Sequence, residues 1–363
     1  MNLRQTISSL VALLATAASL SSCGSTTATH LLYVSTGQGI YAYRIDNKTG
    51  ASTLLPAAPF LVGNTPAGMV LDPSGKHAYV ANQRDNTISL LDVDAVSGSL
   101  TEVLPRTSVS GFSPDQLLLD SAGTTLFAAS LLSNSVSTFS IGTNGALTQV
   151  ATANVFSQPS NMAFAGGLLF VGVPNFSRVY VFGVSAGTLT PVSGSPLIVT
   201  DGVGNVTVDP AAKFLYVTNP SNNTISGFAI QYSGGANTIA SSLIPGSPFA
   251  ATTISGSSAP KAPISSVLDS TATHLYVANS GSASVSTFSV GTNGQLTALT
   301  TTAASVGSSP LLFAFDPVAK YLFVGNVGSN SITELTIRSD ASLTTNGQSV
   351  SLPSVPQAIV LSK

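Results

Sequence analysis

Side chains able to move a proton or hold a charged ligand are few: three histidines, fourteen acids and twelve cations among 363 residues. Charged residues make up 7% of the chain, where about 25% is usual. His30, His77 and His274 each open a short apolar run right beside a turn, a structural or solvated position rather than that of a general base. Asp72, Asp209 and Asp316 each precede a proline, with a lysine four residues on, and Asp120 and Asp269 repeat the position without the proline. Five aspartates at one repeat position invite the thought of a metal ring. Asp followed by Pro, however, suits positions i and i+1 of a type I turn, whose backbone N–H groups the carboxylate accepts. Asn82, Asn219, Asn279 and Asn326 recur at the ends of similar runs and are assigned to turn capping rather than to a ligand ring. A second set of turns holds Arg84, Asp85, Arg106, Asp115, Arg178, Asp201 and Lys261. Four cations and three acids there make a candidate site for an anion or a carbohydrate.

Several chemistries lack their residues. One cysteine cannot build a thiolate zinc site, no C-x-x-C-H is present for haem, and no Gly-rich loop opens a helix to cradle phosphate. No serine sits in G-x-S-x-G with a plausible triad. The reading calls for no metal and no cofactor. A net charge of -2 offers no basic field for nucleic acid.

Residues 1–22 read as a signal peptide: Arg4, then the apolar "SSLVALLATAASL", then small residues. The sole cysteine, Cys23, ends the "LSSC" stretch. That stretch resembles a bacterial lipobox, which implies a lipidated Cys23, a tether over residues 23–29, and a membrane partner reached through the lipid. The tether "GSTTAT" spans roughly 20 Å when stretched.

These residues are positioned by a long repeat. "VSTFSIGTNGALT" at residues 136–148 returns as "VSTFSVGTNGQLT" at residues 285–297. Motifs of an aliphatic, an aromatic, then Val or a small residue centre on Tyr33, Tyr79, Phe127, Phe170, Tyr216, Tyr276 and Phe323, at spacings of 46, 48, 43, 46, 60 and 47. Each unit carries four strand-sized segments bounded by Gly, Pro, Asn and Asp clusters, and none shows a sustained helical period. Seven such units predict an all-β fold, a seven-bladed β-propeller of four-stranded antiparallel blades over residues 30–363. The first unit lacks an inner strand, and "PQAIVL" at residues 356–361 matches that pattern, so the two termini are expected to share a blade and close the ring. The "GTNG" turns are expected to use positive φ at Asn-Gly. The 60-residue unit contains a Ser/Gly/Pro-rich stretch over residues 231–263, expected as a long loop over the channel mouth.

The "YVTN" of residues 216–219 and the "DPSGKHAYVAN" of residues 72–82 resemble the YVTN-type and lactonase-type seven-bladed propellers. That group includes the propeller form of 6-phosphogluconolactonase and exported relatives. The resemblance covers the chain from about residue 30 to 361 and implies the fold; for activity it implies lactone hydrolysis. Propeller lactonases place histidine, arginine and acidic residues at the channel mouth, whereas the three histidines here fall on the opposite face. The expectation is therefore a monomeric, lipid-anchored module of the bacterial cell envelope, binding a carbohydrate, a small molecule or an envelope protein. Lactone hydrolysis is the alternative.

Overall fold

The computed structural model describes residues 29–251, 261–299, 303–316 and 320–362. They form seven antiparallel sheets, which are the blades of the propeller. Blade 2 shows the plan, running outward as Pro66–Leu71, His77–Asn82, Thr87–Val93 and Leu100–Ser108. Blade 3 begins at Pro114–Leu119, blade 4 at Asn161–Ala165, blade 5 at Val206–Val208, blade 6 at Pro263–Leu268 and blade 7 at Pro310–Phe315. Blade 1 takes its inner strand, Pro356–Leu361, from the far end of the chain, paired with Thr29–Thr36 through Tyr33↔Val360 and Ser35↔Ala358. The ring closes as the repeat count requires. Among the described residues the only helical pieces are the single turns Pro174–Phe176 and Ser280–Ser282.

Burial explains the strand sequences. Second strands such as Thr125–Ser130 and Leu168–Val173 are buried at every residue, because a neighbouring blade covers each face. They therefore read as near-continuous apolar runs rather than alternating ones. The outer strand Leu147–Asn154 lies at the rim and alternates half-buried with exposed.

The repeat residues lock this plan. Asp72 Oδ1 accepts from the Lys76 and His77 N–H groups at 2.9 and 3.1 Å, and Asp209 Oδ1 from Lys213 and Phe214 at 2.6 Å each. Asp120, Asp269 and Asp316 bind their own turns in the same way. Blade aromatics latch neighbours. Tyr33, Tyr79 and Tyr216 donate to the Gly98, Gly145 and Gly294 carbonyls of the next blade at 3.2, 2.9 and 2.7 Å. Where blade 3 has Phe127 instead, its cross-strand partner Thr138 donates to Gly187 O at 2.5 Å.

At the blade 7–blade 1 junction the aromatic is Phe323, and the residue paired with it is Glu334, which is 2% exposed. Its Oε1 packs on Gly50 in the turn of blade 1 and meets Asn346 Nδ2, while Oε2 has no partner among the described residues. Burial raises this carboxyl to about 7, with the Asn346 hydrogen bond opposing, Asp316 adding to the rise and Lys320 offsetting it.

Three expectations change in detail. The repeat asparagines, read as turn caps, are fully buried and hold their turns from inside the blade. Asn82 Nδ2 donates to Thr87 and Ser89 hydroxyls at 3.1 and 2.9 Å, and Asn279 and Asn326 bridge to their third strands likewise; Asn219 Oδ1 accepts from the Thr224 and Ser226 hydroxyls at 3.0 and 2.9 Å. Glycines in the blade connections make room for two of these amides: a Cβ at Gly63 would lie 2.5 Å from Asn82 Cγ, and one at Gly307 would lie 2.7 Å from Asn326 Cγ. In the "GTNG" turns only the final glycine takes positive φ (Gly145 +79°, Gly294 +81°), as in a type I turn closed by a glycine. Much of the Ser/Gly-rich insertion is sheet. Thr224–Ser233 pairs with Thr238–Leu243, and Phe249–Ala250 adds to the same sheet. Their hairpin turn falls on the face away from the channel mouth. Residues 252–260 lie outside the described residues.

Candidate functional site: the axial channel

Inner strands of all seven blades surround a cavity of about 500 Å³ on the propeller axis. Each inner strand begins at the face that carries the blade connections and the turns between second and third strands, so this face is the mouth. The polar lining comprises Asp115, Gln116, Ser160, Asn161, Asn205, Ser265, Ser266 and Gln357, interleaved with Met69, Leu117, Met162, Leu312 and Ile359. Neither a histidine nor a lysine or arginine lines it among the described residues.

Much of that polarity is already committed to the ring. Asn161 exchanges two 3.0 Å bonds with the Val206 backbone, tying blade 4 to blade 5. Thr207 Oγ1 meets Ser266 Oγ at 2.8 Å, and Asn205 Oδ1 accepts from Ser266, tying blade 5 to blade 6. Gln116, Gln357 and Ser265 have no side-chain partner among the described residues and face the channel uncommitted.

Asp115 is the one ionisable side chain lining the channel. Gly68 allows the inner strands of blades 2 and 3 to run close there, since a Cβ at Gly68 would strike the Asp115 carbonyl. Gln83, in the turn of blade 2, reaches over to donate to Asp115 Oδ1 at 2.5 Å. Burial raises the Asp115 carboxyl from its ordinary value, and the Gln83 bond pulls part of the way back. Of the acids singled out in the sequence, Asp115 gains the burial that general acid–base work needs.

The other singled-out residues share the mouth face but not the cavity. Arg106, on the outer strand of blade 2, grips Glu102 through Nε and NH2 at 2.7 and 3.0 Å, and its NH1 lies 3.8 Å from Asp85. Asp85 in turn accepts from the N and Nδ2 of Asn64 at 2.8 and 2.7 Å. This network pins the turn of blade 2 to the preceding connection. Asp201 accepts from Asn222 Nδ2 at 2.8 Å. Arg84 and Lys261 are exposed and Arg178 is half-buried, each in a different blade or connection. The uncommitted Gln116 and Gln357 were not singled out by sequence. An alternating strand offers no sign that one polar residue faces an axis and the next a neighbour.

The three histidines sit on the opposite face. His77 Nδ1 lies 3.3 Å from Asp72 Oδ2, His274 Nδ1 lies 2.8 Å from Asp269 Oδ2, and His30 Nε2 approaches Asp316 Oδ1 at 3.4 Å. They brace turns.

A seven-sheet ring with a small axial mouth defines a seven-bladed β-propeller. Residues 1–112 match the family model described as "Lactonase, 7-bladed beta-propeller", and the closed ring has the number of blades that this description gives. The sequence matches no curated protein. Among solved structures it is similar to a candidate 6-phosphogluconolactonase from Bacteroides fragilis, at 20% identity and a TM-score of 0.75 over 93% of this chain and 99% of that one. It is similar to another from Bacteroides uniformis, at 19% identity and 0.76 over 92% and 99%. The periplasmic gluconolactonase of Pseudomonas aeruginosa aligns at 19% identity and 0.73, over 93% and 99%. At these identities the likeness establishes the fold alone.

Proposed function

We propose that this propeller is a ligand-binding module of the bacterial cell envelope, held by a lipid on Cys23, whose axial channel takes a neutral, hydroxyl-rich small molecule of carbohydrate type. The observation that carries this reading is the channel lining among the described residues: amides and hydroxyls, a single acid whose pKa burial raises, and no cation. A phosphorylated sugar would meet no countercharge there, and desolvating a phosphate without one is costly. A sugar, by contrast, presents donors and acceptors along its edge and apolar C–H faces to Met69 and Leu312. The anchor supports the same reading. Thr29–Thr36 starts at the face away from the mouth, so a tether leaving there turns the open channel away from the membrane.

Titration of the mature protein with neutral monosaccharides, followed calorimetrically, tests the site. Gln116→Leu and Gln357→Leu should each abolish saturable binding; binding untouched by both would refute the channel assignment. Fatty-acid labelling tests the anchor, with label on the wild type and none on Cys23→Ser expected.

One observation favours a second reading, hydrolysis of a neutral sugar lactone. Asp115, its carboxyl raised by burial, is suited to take a proton from a water attacking the lactone carbonyl and to return it to the ring oxygen that leaves. The gluconolactonase named among the structural neighbours acts, by its name, on an unphosphorylated lactone, which fits a channel without cations. Turnover of glucono-lactone that vanishes in Asp115→Asn would establish this activity; its absence in the wild type leaves binding alone.

A further inference from the structure

The mouth face carries a second concavity, between blades 2 and 3, that shares no lining residue with the axial channel. We infer that this groove is a separate binding site for a small carboxylic acid borne on an apolar body. Its volume is about 660 Å³, within the range typical of small-molecule sites. Phe112 and Leu132 form its walls and are 62% and 70% exposed, so both present apolar surface to anything that enters.

The floor is already organised. Asn86 Oδ1 accepts from Ser113 N at 2.8 Å, and the Gln83 amide nitrogen is taken by Asp115. Neither has to rearrange to admit a ligand. What the groove still offers is the Arg84 guanidinium, which has no side-chain partner among the described residues. Arg106, in the same blade, is by contrast spent on Glu102. One unspent planar cation beside two bare apolar walls is complementary to a molecule with one carboxylate and one apolar end. The guanidinium can take the carboxylate with two parallel N–H bonds, while the walls shelter the apolar part from water. A dianionic phosphate would find one cation for two charges and no use for the walls.

The test titrates the full-length protein with 4-phenylbutyrate and with its neutral counterpart 4-phenylbutan-1-ol, following binding by NMR shifts. Saturable one-to-one binding of the acid is expected, at least tenfold tighter than that of the alcohol. Arg84→Ala should weaken the acid at least fivefold and leave the alcohol unchanged. Phe112→Ala should weaken both, and Arg178→Ala, which alters a cation outside the groove, should weaken neither. Equal affinity for acid and alcohol would overturn the inference. So would acid binding that survives Arg84→Ala, or the lack of any saturable site. Unchanged melting of the surface variants separates these outcomes from misfolding, and saturation of the axial channel by a neutral sugar should leave acid binding intact.

Discussion

Asp115 and Glu334 are both carboxyls raised by burial, yet they occupy opposite kinds of place. Asp115 opens onto a cavity, and its one hydrogen bond, from Gln83, is reached across a turn. Glu334 is sealed between two blades, with Gly50 against one oxygen and no partner for the other. At the other junctions described above a hydroxyl, from a tyrosine or from Thr138, donates to a turn carbonyl of the next blade, as Tyr321 does to the Lys48 carbonyl at the junction that holds Glu334. A perturbed acid therefore carries no function by itself. Solvent access decides: the acid on the axis can exchange protons with a ligand, whereas the acid between blades can only change how well the ring holds.

Removing residues 356–361 should have the largest effect, because it strips the inner strand from blade 1 and uncovers the apolar cluster that joins Phe323 and Ile332 to Leu32 and Ile359. A loss beyond ~5 kcal/mol, comparable with the whole stability of a domain, is expected. Soluble yield and thermal melting would show it. A truncated protein melting with the intact one would mean that the closing strand does not hold the junction.

Next comes pH. Glu334 titrates near 7 in the folded chain against an ordinary 4.5, so the folded state holds a proton that the unfolded state has released. Stability should be full below about 4.5 and fall as pH rises toward 7, by up to about 3 kcal/mol. The turn carboxylates of Asp72 and Asp269 have the opposite sign. Burial alone would raise them, but hydrogen bonds from Ser74 and His77, and from His274 and Thr273, outweigh it and lower them. Their contribution is lost only as pH drops through the acid range. Urea midpoints at pH 5 and pH 8 should therefore differ in the wild type and converge in Glu334→Gln, which cannot ionise. Asp115→Asn, tested alongside, should change the stability at either pH by less than ~1 kcal/mol, about the worth of its one hydrogen bond.

A smaller effect sharpens the contrast. Tyr79→Phe removes the 2.9 Å bond to the Gly145 carbonyl and should cost about 1 kcal/mol. Burial lifts the Tyr79 hydroxyl well above its ordinary pKa, so the loss should be the same at pH 5 and pH 8. A pH-dependent loss would mean that the hydroxyl contact also follows a titrating group, and the contrast with Glu334 would fail.

The ring was legible in the sequence because its determinants are local. Asp–Pro turns, His77 beside Asp72, and one aromatic per unit each act within a few residues, and "PQAIVL" announced the closure. What stayed hidden depends on partners brought together by closure. Glu334 faces Gly50 only across the blade 7–blade 1 junction, and Asp115 meets a glutamine thirty-two residues earlier. Arg106, grouped with the site by its loop-like surroundings, lies on an edge strand where Glu102 four residues back neutralises it. Composition announced a charge-poor protein, but only the assembled axis shows that no lysine, arginine or histidine lines it among the described residues.

The central claim is that the axial channel selects a neutral ligand, and competition between glucose and glucose 6-phosphate for the mature protein tests it most directly. Glucose should bind saturably, equally at low and high salt, and lose that binding in Gln357→Leu, while its phosphate should fail to compete. Tighter binding of the phosphate, weakened by salt, would contradict the account.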